Sequence, residues 1–559
     1  MIPSIDHNPG GTYALIQYLY GPGRADEHED PHMIASWNGF APDPAPDRKR
    51  GPRDTIAKLA AQLDLPVNAL GPENRPPTTV WHCSVRAAPE DRILSDTEWA
   101  AIARRILRAT GIAPKGDTKA CRWVAVRHNA DHIHIVATLV RQDGRTPENG
   151  RDFTRAQREA RKIEIDYGLR RLRPGDGTAA MRPTQAEQHR AKRLGHTTTA
   201  REQLRTKVRL AVAASSSEEQ FFLALEEFGV QVKLRRLPSG DIGGYSVTLP
   251  GETAWFSGSK LAPDLSLPKI RQRFAGIEPA TGAGDRAAVW QRAAHTTEAV
   301  PHALRTSDDQ AGQAHIAALG ELLDITAALS PPSYRPQLRA AAEVFERANR
   351  SRITPHHRKA GALHRVTREL LYTGGTKDGE ALALVLFVIA AAVIAAAEWH
   401  AQRGHQQQAE AAWQTSTHLN TAYQQAASQP LADLAHRTPD TRTLSRYQHT
   451  VRTVLPDHAK SITTDPAWPA LATVLADAEQ AGHDMGDTLA QAAQPHDLAG
   501  ANSPAQHLLW SVRARSRKNA TGERTTAART KTTAARATAM PAAPVPATGS
   551  AANDPIRRR

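Results

Sequence analysis

At 559 residues the chain is too long for one hydrophobic core, and three or four domains are expected. A formal charge of +14 favours an anionic partner, either nucleic acid or an acidic membrane surface. Two cysteines, Cys83 and Cys121, exclude a disulfide-built fold, and the opening "MIPSIDHNPGG" has neither the basic nor the apolar region of a secretory signal, so a cytoplasmic setting is expected.

In chain order, "MIPSI" reads as a short strand. "GTYALIQYLYG" has Leu15, Tyr18 and Leu19 at helical spacing and stops at Gly21-Pro22-Gly23. Residues 22–55 read as loop, rich in Pro, Gly, Asp and His. "TTVWHCSVRA" (78–87) is a strand, and Ser95–Thr110 a helix whose Ser95 and Glu98 form a capping box. "ACRWVAVRH" and "HIHIVATLVR" are strands whose short link predicts antiparallel neighbours, and "TRAQREARKIEIDYGLRRL" is a helix. This order predicts an α+β domain over 1–175, an antiparallel sheet with helices on one face.

A small α+β module is expected over 183–276: two helices, a hairpin of strands 230–236 and 244–249, and a last helix from Pro268. Lys233, Arg235, Arg236, Lys260, Lys269 and Arg271 suggest a nucleic-acid surface on it. Residues 285–510 carry Ala-rich helical patterns. Inside them "ALALVLFVIAAAVIAAA" (381–397) has no polar side chain, and it fits either a buried bundle helix, the preferred reading, or a membrane span. Residues 511–559 hold almost no large apolar residue. From Arg513 on, eleven Lys and Arg stand against Glu523 and Asp554, so a disordered basic tail able to contact phosphates is expected.

The chemistry concentrates in "RHNADHIHIVATLVR" (127–141). Side chains alternate along a strand, so Ile133, Ile135, Ala137 and Leu139 share one face while His132 and His134 share the other. In the strand 80–87, Trp81, Cys83 and Val85 point one way and His82 and Ser84 the other. One sheet face can therefore carry His82, Ser84, His132 and His134, with His128 at the strand end. His128, His132 and His134 are expected to ligate a divalent metal ion (Mg, Mn or Zn) with coordination positions left open. The plainer alternative is an exposed strand face.

The same residues resemble a known family. "RHNADHIHIVATLVRQDGR" is similar to the histidine motif of relaxases, the mobilisation nucleases of conjugative and mobilisable plasmids, within the larger His-hydrophobic-His endonuclease group. "ALIQYLYGPGR" resembles their tyrosine motif and "WHCSVRAAPED" their middle motif. The set looks most like mobilisation proteins of actinobacterial plasmids, over about residues 1–175. One departure is that His128 stands closer to the His-x-His pair than the upstream histidine of many relaxases.

The resemblance implies nicking of one DNA strand at a plasmid origin of transfer. In this reaction a tyrosine hydroxyl attacks a phosphodiester and stays joined to the 5′ phosphate. It casts Tyr18 as nucleophile, with Tyr20 as the alternative at the helix end, and Asp131 or a spare histidine as proton acceptor. The neighbouring loop offers His28 and His32 to DNA or metal. Beside the histidine strand, Arg141, Arg145, Arg151, Arg155, Arg158 and Lys162 are expected to contact DNA phosphates. The partners implied are single-stranded DNA at the transfer origin, accessory relaxosome proteins and a coupling protein, with membrane association through 381–397 left open. Two other readings stay open: a rolling-circle replication initiator, and a non-enzymatic, membrane-tethered DNA-binding or partition protein.

Overall fold

Strand alternation and helical periodicity in the first 170 residues resolve into one sheet with a layer of helices on each side. In the computed structural model, residues 1–515 are described except 7–9, 23–27, 45–52, 174, 276–284, 377 and 494–502. The tail expected to be disordered lies, from residue 516 on, outside the described residues. The chain divides into two compact units, Met1–Asp176 and the remainder from Gly177.

The first unit runs β1 (Ile2–Asp6), α1 (Thr12–Tyr20), β2 (His32–Ser36), α2 (Arg53–Asn68), β3 (Val80–Arg86), α3 (Asp96–Thr110), β4 (Cys121–Asn129), β5 (His132–Arg141) and α4 (Asp152–Asp166). The five strands form one antiparallel sheet in the order β1-β3-β5-β4-β2. On one face Trp81, Cys83, Val85, Trp123, Ala125, Ile133, Ile135 and Ala137 pack under α3 and α4, which contribute Trp99, Ile102, Ile106, Ala156, Ala160 and Ile163. Each fully buried Ile there is worth about 1.5–3 kcal/mol. The Ser95–Glu98 capping box opens α3, as its sequence predicts.

Helices do not stop at that face. Val80, Val124, Val126 and Val136 point the other way and are covered by Leu15, Ile16, Leu19 and Tyr20 of α1 with Ile56, Leu59 and Leu63 of α2. The α+β class holds, while the single helical layer becomes two. Helix α2 carries its apolar residues at helical steps (Ile56, Leu59, Leu63, Val67), a periodicity overlooked in the sequence. The stretch 22–55, read as loop, contributes the edge strand β2. Its five residues lack alternation because a register irregularity falls between Met33 and Ala35.

The second unit has two apolar cores of its own. One gathers Leu204, Val208, Phe221, Leu225, Tyr245, Val247, Phe256 and Ile270, around a three-stranded sheet of β6 (Gln231–Arg236), β7 (Ile242–Thr248) and β8 (Phe256–Ser257). The other gathers buried residues from Val289 to Ala514 together with Ala213, and among the described residues no strand contributes to it. The apolar run 381–397 lies in the helix Gly379–Gln402, which Asp378 caps at its start. By length and composition this helix could cross a membrane, yet 72% of its most apolar window is buried against the rest of its own unit. Its many alanines let the following helix, Gln406–His436, approach closely. A helix apolar on all sides is thus accounted for as the centre of a bundle.

Candidate active site

The site grows from the β4–β5 hairpin. Only Ala130 and Asp131 join the two strands, so His132 starts β5 almost opposite the end of β4. The register slips between Arg127 and Asn129, which leaves His128 as an extra residue in a bulge. His128, His132 and His134 each offer a ring nitrogen within 4.8 Å of the others'. Their rings pack edge to face or stacked, with centroids 4.5–5.3 Å apart. The valines of the same sheet face lie under α1 and α2, whereas the histidine end lies beyond that apolar cover.

The electrostatics keep these rings neutral. Burial, reinforced by His28 and His132, pushes His128 down to about 3. Burial also lowers His134, helped by the neighbouring His82 and His128. Burial lowers His132 too, against the opposing pull of Asp131. A neutral imidazole carries the lone pair that a metal needs. The strongest fit test is His128: both ring nitrogens are buried and neither has a hydrogen-bond partner. An unsatisfied buried polar atom costs about 1–3 kcal/mol, a cost that a cation on one of those nitrogens would offset. The three histidines therefore suit a divalent cation.

Around this centre, other expected residues take distinct places. His82 Nε2 lies 2.8 Å from His134 Nδ1, and Ser84 stands opposite His134 in the register. Asp131 Oδ1 lies 2.5 Å from His132 Nδ1, so its carboxylate orients that ring. Tyr18, 39% exposed, meets His28 edge to face at 4.9 Å, and His28 lies on His128 at 3.8 Å. A carbonyl, Gly21 O, accepts from His28 Nδ1 at 3.0 Å, which leaves the lone pair on Nε2. His32 is not part of the cluster and bonds Asp30 O and Asp96. Tyr20 is buried, and its hydroxyl donates to Asp43 Oδ1 at 2.8 Å; burial and Asp43 raise its pKa strongly.

The arginine row is not brought to the histidines. Helix α4 packs on the opposite face of the sheet. Arg155 there donates to the carbonyls of Thr110 and Glu148, and Lys162 pairs with Glu159. Arg151 and Arg158 are exposed on that same helix side. Arg141 sits at the far end of β5, seven residues or roughly 23 Å along the strand from His134, and pairs with Asp117 and Asp143. Arg145 follows it in the exposed turn. Sequence reasoning missed the cation that does lie near the cluster. Arg86 Nη2 is 3.3 Å from His132 Nδ1, Arg86 Nε is 3.7 Å from Asp131, and its side chain is 60% exposed. Alternation from His82 and Ser84 to Arg86 could have found it.

Residues 66–169 match the family model "Relaxase: MobA/VirD2-like, nuclease domain". The first unit carries a relaxase nuclease domain. The match spans His82, Ser84, Asp131 and the three clustered histidines, and it begins after α1, so Tyr18, Tyr20 and His28 fall outside it. No curated protein and no solved structure matches the chain. Such a domain supports a nicking function and implies binding of single-stranded DNA.

Proposed function

We propose that this relaxase domain cuts one strand at a plasmid origin of transfer by tyrosine transesterification, for conjugative mobilisation. Tyr18 Oη attacks the phosphorus, the bond from phosphorus to the 3′ oxygen breaks, and the 5′ phosphate stays on the tyrosine. The phenolic proton leaves to a base and the 3′ oxygen takes one up. His28 is the nearest candidate base, because its Nδ1 is held by Gly21 O and its Nε2 is free to accept. Attack builds charge on the non-bridging oxygens, and exposed Arg86 is placed to hold the phosphate. His128, His132 and His134 would hold the divalent ion, whose chemistry when bound is to neutralise that same charge. A phenolate is also a fair leaving group, so the strand can be resealed.

The observation that carries this reading is the contact series Tyr18–His28–His128, which joins the exposed tyrosine to a histidine both of whose ring nitrogens are buried without a hydrogen-bond partner among the described residues. The test is to incubate the purified full-length chain with its host plasmid and a divalent cation, then map the nick. A protein-linked 5′ end at a single position is expected. In His132→Ala/His134→Ala both the nick and the bound metal, read by elemental analysis, should be lost. Unchanged metal content in the folded double variant would remove the histidines from the metal site.

A further inference from the structure

Two imidazoles face each other across β3 and β5. His82 Nε2 and His134 Nδ1 are 2.8 Å apart, with the rings 11° from parallel and their centroids at 5.1 Å. At that distance one nitrogen carries the proton and the other the lone pair. Which one carries it decides what His134 can offer the cluster. With the proton on Nδ1, His134 presents a lone pair at Nε2. With His82 as donor, His134 Nε2 carries a hydrogen and repels a cation.

The adjacent strand biases the choice. Asp6 of β1 stands directly opposite His82 in the register, on the same sheet face, and its charge acts on the His82 ring. A carboxylate beside an imidazole favours the tautomer whose N–H turns towards it. Since His82 Nε2 is committed to His134, the nitrogen left for Asp6 is Nδ1, which makes Nε2 the acceptor. At the neighbouring ligand a carboxylate is in direct contact, Asp131 Oδ1 lying 2.5 Å from His132 Nδ1, whereas the ring nitrogens of His128 have no hydrogen-bond partner among the described residues.

We infer that His82 is a positioning residue: it accepts the Nδ1 proton of His134 and so fixes the tautomer that leaves a lone pair on His134 Nε2 for the cluster. This rests on the metal reading above and adds the residue that makes one ligand competent. His82 touches neither DNA nor metal in this role. It acts through His134, and Asp6 acts through His82.

The experiment titrates Mn(II) into the full-length protein by calorimetry, comparing wild type, His82→Phe and His82→Gln. Phenylalanine keeps the ring and loses the acceptor, so Mn(II) affinity should fall about 10- to 100-fold. The glutamine carbonyl can accept the same proton, so His82→Gln should return to within a few-fold of wild type. Equal affinity in wild type and a folded His82→Phe overturns the inference and leaves the metal reading standing. Wild type that takes up no Mn(II) overturns the metal reading itself. Should His82→Phe not fold, ring ¹⁵N shifts of wild-type His134 decide: a protonated Nε2 overturns the inference, and a protonated Nδ1 supports it.

Discussion

Tyr18 and Tyr20 lie two residues apart on α1, and the fold treats them oppositely. The Tyr18 ring is 39% exposed, and its hydroxyl makes no hydrogen bond to another described residue. Tyr18→Phe keeps the edge contact to His28 and removes one solvent-facing oxygen, so stability should change by no more than about 0.5 kcal/mol. In a unit of this size that is a shift of roughly 2 °C or less. Tyr20 is 3% exposed and donates to Asp43 at 2.8 Å. Tyr20→Phe removes the hydroxyl that donates to that half-buried carboxylate, at a cost of about 1–3 kcal/mol, or roughly 3–10 °C. Activity should show the reverse pattern. Loss of a covalent nucleophile should lower cleavage on the order of 10³-fold or more, while folded Tyr20→Phe still cuts. The assay uses a labelled single strand bearing the origin, run on denaturing gels, beside thermal melts of each variant. An adduct that persists in Tyr18→Phe and vanishes in folded Tyr20→Phe would transfer the nucleophile to Tyr20. Nicking without any adduct in the unmutated protein would reject tyrosine transesterification altogether.

Other consequences are open to direct measurement. His128 and His82 are held at about 3 and about 4, below the ordinary 6.5, with burial the main cause in each. Below 6.5 the unfolded chain therefore binds more protons, so stability of the metal-free protein is full above that value and declines as pH falls towards 4 and 3. Urea midpoints should be lower at about pH 5 than at about pH 7, and equal midpoints would contradict the neutral cluster. Arg86→Ala should weaken single-strand binding and reduce its salt slope by about one, because this cation is exposed beside the histidines. Arg155→Ala should instead lower the melting temperature and spare the slope, since its guanidinium serves the Thr110 and Glu148 carbonyls. Removal of 516–559 should weaken DNA binding broadly and flatten its salt dependence without moving the cut. The truncation is best placed there because Arg513 pairs with Glu380 and Asp477 inside the second unit. An unchanged slope would remove the tail from the phosphate contacts.

Local pattern carried much of this molecule. Period-two alternation assigned Ile133, Ile135 and Ala137 to the core and His132 and His134 to the other face, and both sets lie where it placed them. The two-residue hairpin link and the Ser95–Glu98 cap were legible for the same reason: each depends on residues within a few positions of one another. Alternation separates two faces but does not say what covers each. Only the packing put α4 and its arginines on the face away from the histidines, and α1 on the nearer one, which brings Tyr18 to His28. Only the strand order β1-β3-β5 set Asp6 beside His82 and His82 beside His134, joining residues 76 and 52 positions apart. The fate of the apolar helix was also undecided in sequence, because a membrane and a bundle core select the same side chains. Contacts between distant segments are settled by which element packs on which, and periodicity within one segment does not encode that choice.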